Sequence, residues 1–281
     1  MATKRDIPSH AELVGRAREL RPLLRRHASE GEINRRLSDE VIDALTKAGL
    51  FRLFTPRKFG GYSSQLQTLV EVTETLGGAD GSAAWVVAIA AAADWGIAHA
   101  NTRAQEEVYG DNPDARAAGS FLPSPARRVE GGVRVDGRWA YASGSPHADW
   151  AVIGTEIASE SDTPDGYLAL VPRSDIALED TWHTVGMRGT GSHTWLGEDV
   201  VVPEYRLTRM NDLIEGTPGH EEPLYRLPVG PMGPSTLMGT LLGLGRAALD
   251  FVIENCASKA VTHTVYTRQR GLPPVWLTPD L

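Results

Sequence analysis

The sequence of 281 residues predicts an α+β protein built from three consecutive parts, which are helical, β-rich and helical again. The spacing of apolar residues changes from a helical to a strand period near Asp111 and returns to a helical period near Pro228. Proline and glycine are frequent at both junctions, as expected where domains meet. We therefore expect an all-α domain over 1–112, a β domain over 113–215 and a helical domain over 216–281.

The first part shows the capping residues of its helices. Ser38 is a good N-cap, and it precedes an apolar stripe that must face another helix. Gln65–Leu76 has the pattern of a further helix, and Asp80 is a break and cap before an alanine-rich helix that carries Trp85. Trp85 fits the helical core better than a substrate site, but a ring at a helix end could also contact substrate.

The middle part alternates six short β-rich runs with turns that contain glycine and aspartate. The runs are Ala117–Phe121, Gly132–Tyr141, Trp150–Thr155, Tyr167–Val171, Ile176–Trp182 and Thr194–Val202. No helix of ordinary length fits between these runs, which argues against a doubly wound nucleotide-binding sheet. The pattern predicts a small sandwich or barrel.

The last part is helical again from Pro234, with apolar residues from Leu237 to Val252 on the side expected to be buried. The final stretch, 271–281, cannot continue a helix because its three prolines lack the N–H donor and clash with the preceding turn. Without further helices packed on it, the apolar side of this helix would be exposed unless another chain covers it.

Composition excludes several classes of protein. The net charge of −8 argues against nucleic-acid binding, and a single cysteine argues against disulfides. The longest apolar run, Ala83–Ala93, is shorter than the roughly 20 residues that span a bilayer, and no apolar segment follows the first residues. We expect a cytoplasmic protein without a membrane or nucleic-acid partner.

Two glycine-containing segments, Gly137–Gly144 and Gly186–Ser192, have the chemistry to hold a flavin. A strand that ends in Ser143 and Gly144 presents backbone N–H groups and a hydroxyl to the polar edge of a flat ring. Trp139 and Tyr141, expected on one strand face, would cover the face of the ring. The glycines of the second segment permit a tight turn, and its arginine offers a fixed positive charge to a phosphate or an anionic flavin. We call the two segments together the cradle.

Histidines are the natural candidates for deprotonating a phenol or for holding a substrate, because their pKa lies near working pH. His147 and His193 directly follow the two segments of the cradle, so either could reach a shared cavity, although a structural role is the common one for a loop histidine. The spacing of the remaining histidines does not resemble a metal site.

A series of ordered motifs resembles the acyl-CoA dehydrogenase fold superfamily and, within it, the reduced-flavin-dependent aromatic monooxygenases. The resemblance covers nearly the whole chain. Its motifs are Ala48–Leu53, Pro56–Gly61, Asp80–Trp85, Ala118–Phe121, the two cradle segments and Gly243–Asp250. True acyl-CoA dehydrogenases typically carry Thr-Glu-Pro where Ala117 and Ala118 precede Gly119, and the Trp139–Gly144 segment looks like the monooxygenase version.

This resemblance implies an acyl-CoA dehydrogenase-like fold and a separate NAD(P)H-flavin reductase that supplies reduced FMN or FAD. The flavin would react with O2 to a C4a-hydroperoxyflavin that hydroxylates an aromatic or polyketide-like small molecule or oxidises an amine. It also implies a homo-oligomer. The residues that would take part are Ser143 and His147 in catalysis, Gly119, Ser120, Trp139, Tyr141, Ala142, Ser143, Gly144, Arg188 and Gly189 at the flavin, and Trp85 and His193 at the substrate.

Two alternatives remain at this stage. An acyl-CoA dehydrogenase would hold oxidised FAD tightly and reduce it with a thioester. An inactive remnant that binds flavin is the other, because the family continues with two further long helices that supply the catalytic acid or base. The pattern of one sequence reveals neither the substrate nor the choice between FMN and FAD.

Overall fold

The computed structural model describes residues 7–158 and 165–256, in which helices precede and follow one β-sheet. The described helices are α1 (His10–Asn34), α2 (Asp39–Lys47), α3 (Leu66–Gly77), α4 (Gly81–Ala98), α5 (Thr102–Tyr109), α6 (Met210–Glu215) and α7 (Val229–Cys256). The change from helix to strand falls between Tyr109 and Ala117, and α6 begins directly after the last strand. The expectation for 271–281 lies outside the described residues.

The predicted helix caps are confirmed. Ser38 Oγ accepts a hydrogen bond of 3.3 Å from the backbone N–H of Val41 at the start of α2. The carboxylate of Asp80 accepts one of 2.8 Å from the N–H of Ser82 and begins α4. These caps satisfy amide groups that the first helical turn leaves without partners.

Seven strands form a single mixed sheet in the order β5-β6-β2-β1-β3-β4-β7. They are β1 (Ala117–Val129), β2 (Gly132–Ala142), β3 (Trp150–Ile157), β4 (Asp165–Pro172), β5 (Ala177–Glu179), β6 (His193–Pro203) and β7 (Leu207–Arg209). Neighbours pair antiparallel except β1 and β3, which run parallel. The six predicted runs correspond to β1 to β6, and the three-residue β7 was too short to be recognised from its pattern.

The sheet encloses a hydrophobic core of its own, which agrees with the predicted fold class. Strands β4 and β6 touch although three strands lie between them, which requires the sheet to curl. Trp139 and Trp195 fill this core, and both indole N–H groups donate to backbone carbonyls, of Gly154 at 2.8 Å and of Ala118 at 3.1 Å. These hydrogen bonds satisfy the one polar atom of each buried indole ring.

The helices bury a second core, with α4 at its centre. Helix α7 crosses α3 at very close range, because a Cβ atom on Gly239 would lie 2.2 Å from the Val70 carbonyl oxygen, and one on Gly243 would lie 2.4 Å from that of Glu74. Beyond Gly243 the apolar side chains of α7 are exposed. They include Leu244, Leu249, Phe251, Val252 and Ile253.

Two described helices are long and apolar enough to cross a membrane by length and composition, namely α4 and α7. The apolar window of α4 is 78% buried inside the protein and that of α7 is 22% buried. Burial within a helical core accounts for the composition of α4.

Candidate functional site

The structure brings the two cradle segments together. Ala142, at the end of β2, lies opposite His193 at the start of β6. Just beyond the strands, the N–H of Gly144 donates to the Thr190 carbonyl at 2.7 Å, and Ser145 Oγ donates to the Gly191 carbonyl at 2.9 Å. The predicted meeting of the two segments is therefore confirmed as a feature of the fold.

The first two turns of α4 complete the cradle from a third side. A Cβ atom on Gly189 would lie 3.0 Å from Ser82 Cβ, so this glycine allows the second segment to approach the helix closely. One turn further along, the half-buried Trp85 donates from Nε1 to Ser143 Oγ at 3.0 Å. Trp85 therefore lies at the cradle rather than in the helical core.

Three hydroxyl groups continue from Trp85 in a line of hydrogen bonds. Ser143 Oγ lies 2.7 Å from Ser192 Oγ, and Ser192 Oγ lies 2.7 Å from Thr190 Oγ1. Thr190 Oγ1 donates to the Met187 carbonyl at 2.8 Å. All three hydroxyl residues are buried, with Ser143 only 7% exposed. We call this series, from Trp85 through Ser143, Ser192 and Thr190 to Met187, the hydroxyl chain.

The expectation that Trp139 and Tyr141 share one strand face is wrong. The pairing of β2 with β6 shifts register between Trp139 and Ala142, and Tyr141 has a positive φ of 65°. This bulge turns Tyr141 outward, where it is 69% exposed, while Trp139 and Ala142 are wholly buried in the core of the sheet. Of these two residues, Tyr141 is the one whose ring is open to a ligand, and it lies 6.3 Å from the edge-on ring of Trp182.

Gly119 and Ser120 lie near the start of β1. Because β1 and β2 are antiparallel, this start lies at the same end of the sheet as Ser143. Gly119 packs on β3, where a Cβ atom would lie 3.1 Å from the Val152 carbonyl oxygen, and Ser120 is buried. Their contact with a flavin stays a prediction.

Arg188 opens a 3₁₀ turn in the second segment of the cradle. Its backbone N–H donates to Glu32 Oε1 of α1 at 3.1 Å. Its side-chain Nε is buried and has no hydrogen-bond partner within 7–158 and 165–256. A buried guanidinium donor without a partner is costly, and an acceptor group on a ligand would offset that cost.

His193 holds a turn of the protein through Nδ1, and its predicted contact with substrate stays a prediction. Its Nδ1 accepts hydrogen bonds of 3.3 Å from the backbone N–H groups of Thr181 and Trp182, and it also lies 3.3 Å from Asp180 Oδ1. Burial lowers the pKa of His193, and the neighbouring Asp180 opposes that shift. A hydrogen bond from Arg35 lowers the pKa of Asp180 itself to about 2.

His147 lines a cavity that does not include the residues of the hydroxyl chain, and its predicted catalytic role stays a prediction. The 3₁₀ turn Ser145–His147 directs it to a separate polar cavity of about 330 Å³. This cavity is lined by Arg36, Asp39, Ile42, Asp43, Arg116, Pro146, His147, Ala148 and Asp149. Burial and the adjacent Arg36 and Arg116 lower the pKa of His147 to about 4. The imidazole is therefore neutral at physiological pH.

One ionisable group that the sequence did not single out is Asp94, buried in α4. Its carboxyl accepts hydrogen bonds from Thr55 Oγ1 at 2.9 Å and from Tyr109 OH at 2.8 Å. Complete burial raises its pKa to about 7, although both hydrogen bonds oppose the shift. Across the described ranges, no group of three histidine, cysteine or acidic side chains is placed to hold a metal ion.

The residues of the cradle fit a flat heteroaromatic ring with a polar edge. Tyr141 presents an exposed ring, Ser143 presents a hydroxyl, and Arg188 carries an unsatisfied donor. Thr190 and Ser192 belong to this site as well, although only the glycines and the arginine of their segment were assigned a role from sequence. The sequence did contain a signal for them, because Thr190 and Ser192 stand two positions apart at the end of the second cradle segment.

Comparison with known proteins places this geometry in a family. Residues 16–111 match the model of the acyl-CoA dehydrogenase N-terminal domain. The chain is 36% identical over 241 residues to the oxygenase subunit HsaA of a flavin-dependent monooxygenase from Rhodococcus jostii (strain RHA1), covering 84% of this chain and 63% of HsaA. It is 35% identical to the oxygenase component of an FADH(2)-dependent resorcinol hydroxylase from Rhizobium sp. (strain MTP-10005), covering 91% and 64%.

Solved structures agree with these relatives. XiaF from Streptomyces sp., solved in complex with FADH2 and glycerol, superposes with a TM-score of 0.84 at 33% identity, covering 93% of this chain and 67% of XiaF. The chain thus spans about two thirds of the length of the proteins it matches. It belongs to the acyl-CoA dehydrogenase-like superfamily, in the group formed by the oxygenase components of flavin-dependent monooxygenases.

Proposed function

We propose that this chain acts as the oxygenase component of a two-component flavin-dependent monooxygenase. Its cofactor is reduced FMN or FAD, and O2 is the co-substrate. The reaction hydroxylates an aromatic or polyketide-like small molecule or oxidises an amine. The observation that carries the proposal is the cradle, in which Trp85 and Ser192 hold the hydroxyl of Ser143, two residues along the chain from the exposed ring of Tyr141.

Each cradle residue has a role in binding or orienting the flavin. Ser143 faces the polar edge of the ring, and the backbone of Gly144, Gly119 and Ser120 lies at the same end of the sheet. Arg188 supplies a positive charge for the phosphate or for the anionic ring. When bound, reduced flavin activates O2 for the transfer of one oxygen atom. The protein contributes orientation and the exclusion of water.

The partners follow from the same proposal. The related proteins are named oxygenase subunits or components, which supports a separate NAD(P)H-flavin reductase as the source of reduced flavin. The exposed apolar residues of α7 support a homo-oligomer in which a second copy of the protein covers this face. A reductase partner that uses NAD(P)H and a chain with a single cysteine both fit the cytoplasm.

The test is to mix the purified chain anaerobically with reduced FMN or FAD, add O2 and follow the absorbance of oxidised flavin. We expect reoxidation to be delayed relative to free flavin, because a cradle that excludes water slows the release of hydrogen peroxide. Ser143→Ala is expected to shorten that delay. Thr194→Val is the matched control, since Thr194 is a buried hydroxyl residue on β6 that pairs with Thr181 outside the hydroxyl chain.

Two results would contradict the proposal. Reoxidation at the rate of free flavin, without binding, would indicate a remnant that has lost its function. Purification with tightly bound oxidised FAD that an acyl thioester reduces would indicate an acyl-CoA dehydrogenase instead.

A further inference from the structure

The hydroxyl chain has a fixed direction, because its two ends are chemically unequal. At one end, the indole Nε1–H of Trp85 can only donate a hydrogen bond. At the other end, the carbonyl oxygen of Met187 can only accept. Each of the three hydroxyls between them has one proton to donate.

Counting the available protons then gives the direction of each hydrogen bond. Thr190 Oγ1 lies 2.8 Å from the Met187 carbonyl and donates its proton there. Ser192 must therefore donate to Thr190, and Ser143 must donate to Ser192, across two contacts of 2.7 Å. If every hydrogen bond of the hydroxyl chain pointed the other way, Thr190 Oγ1 and the Met187 carbonyl oxygen would face each other at 2.8 Å with no proton between them. Two lone pairs at that distance repel.

The acceptor end is also held in place. The Met187 carbonyl accepts a second hydrogen bond, of 3.1 Å, from Trp182 Nε1, and the backbone N–H of Thr190 points to the same oxygen at 3.2 Å. All three hydroxyl residues are buried, so water competes little for their protons.

The consequence lies at Ser143. Its proton is committed to Ser192, and one of its lone pairs is occupied by the N–H of Trp85. One lone pair remains, so Ser143 can offer a ligand only an acceptor. In the binding mode that goes with the proposed function, ring position N5 is the part of the flavin's polar edge that faces Ser143. Reduced flavin carries an N–H at N5, whereas oxidised flavin has only a lone pair there.

We propose that the hydroxyl chain makes Ser143 an obligate hydrogen-bond acceptor and thereby selects reduced flavin over oxidised flavin. Thr190 and Ser192 are the positioning residues of this selection, because they take up the proton that Ser143 would otherwise donate. The inference rests on the proposed function, which brings flavin to the cradle.

The first measurement is the ratio of the dissociation constants of oxidised and reduced FMN, determined anaerobically for the full chain. The wild type is expected to favour reduced FMN. Ser192→Ala and Thr190→Val free the proton of Ser143, so each is expected to lower the ratio by about tenfold, the weight of one hydrogen bond. Thr190→Ser restores the hydroxyl and is expected to keep the wild-type ratio, as is the control Thr194→Val.

The second measurement needs no flavin. With ¹⁵N-labelled tryptophan, the indole N–H signal of Trp85 is identified by its loss in Trp85→Phe. We expect Ser192→Ala and Thr190→Val to shift this signal, because they change the hydroxyl that accepts it, and Thr194→Val to leave it in place. Valine has nearly the shape of threonine, so a shifted signal in Thr190→Val would report the lost hydroxyl and not a change in packing.

The outcomes separate the two proposals. An unchanged ratio in both Ser192→Ala and Thr190→Val, with flavin still bound, would overturn the selecting role while leaving the flavin function intact. Failure of the wild type to bind either form would overturn the proposed function and the selection together. An indole signal that does not respond to Ser192→Ala or Thr190→Val would overturn the hydroxyl chain itself.

Discussion

Helices α4 and α7 have the same mean hydropathy of 1.4 in their apolar windows, yet 78% of that window is buried in α4 and 22% in α7. The difference lies in their neighbours. Helix α4 packs against α3, α5, α7 and β1, whereas α7 packs against α3, α4 and α6 and exposes its large apolar side chains beyond Gly243. Apolar composition alone therefore does not tell which helix is covered.

The two helices also differ in how they treat polar groups. Helix α4 buries the carboxyl of Asp94 and satisfies it with the hydroxyls of Thr55 and Tyr109. Helix α7 keeps its charged residues Arg246, Asp250 and Glu254 exposed. A charge can be retained in a core only when its partners surround it, and even then the charged form is disfavoured.

The largest expected effect comes from Asp94, through pH. Its folded-state pKa of about 7 lies above the ordinary value of 3.8, so the native state binds a proton that the unfolded state has lost. Stability is therefore highest below about pH 4 for this group and falls as pH rises through 7, by at most about 4 kcal/mol. Urea unfolding from pH 4 to 8 should show this fall, and Asp94→Asn should abolish it.

A companion variant tests the cause of that shift. Tyr109→Phe removes a hydrogen bond that holds the pKa of Asp94 down, so the fall in stability should move to higher pH. A wild-type profile without a fall between pH 4 and 8 would show that Asp94 stays ionised in the native protein.

The next largest effect is expected from isoleucine, which occurs in both α4 and α7. Ile97 of α4 is 1% exposed and Ile253 of α7 is 58% exposed. Ile97→Ala should cost about 3 kcal/mol of unfolding free energy, because it leaves a cavity in a dense core. Ile253→Ala should change stability by less than about 0.5 kcal/mol. Equal losses in urea unfolding would mean that the exposed face of α7 is covered in solution.

The smallest effect concerns the contact between α7 and α3. A Cβ atom on Gly243 would lie 2.4 Å from the Glu74 carbonyl oxygen, so Gly243→Ala must push the helices apart and should cost about 2 kcal/mol. Gly245→Ala is the matched control, since nothing lies within 4 Å of its Cβ position. It should gain up to about 1 kcal/mol from helix propensity. A neutral Gly243→Ala in thermal unfolding would contradict the close crossing.

Local signals in the sequence were reliable where the chemistry is local. Ser38 and Asp80 cap their helices as predicted, because a cap depends on the next two or three residues only. The expected shared face of Trp139 and Tyr141 failed because a bulge, set by pairing with β6, interrupts the alternation of β2. The position of His147 could not be read from the sequence, because the 3₁₀ turn Ser145–His147 places it at a cavity that α2 also lines, and its catalytic role stays a prediction.

The sequence by itself determined the order of helical and β-rich parts, the helix caps and the two glycine segments that form the cradle. These features depend on periodicity and on residues close together in the chain. Only the tertiary structure decided that Trp85, Ser143, Ser192 and Thr190 form one directed line, since their hydrogen bonds join α4, β2 and the turn before β6. The direction of that line is a property of its two ends, which lie about 100 residues apart in sequence and meet through packing alone.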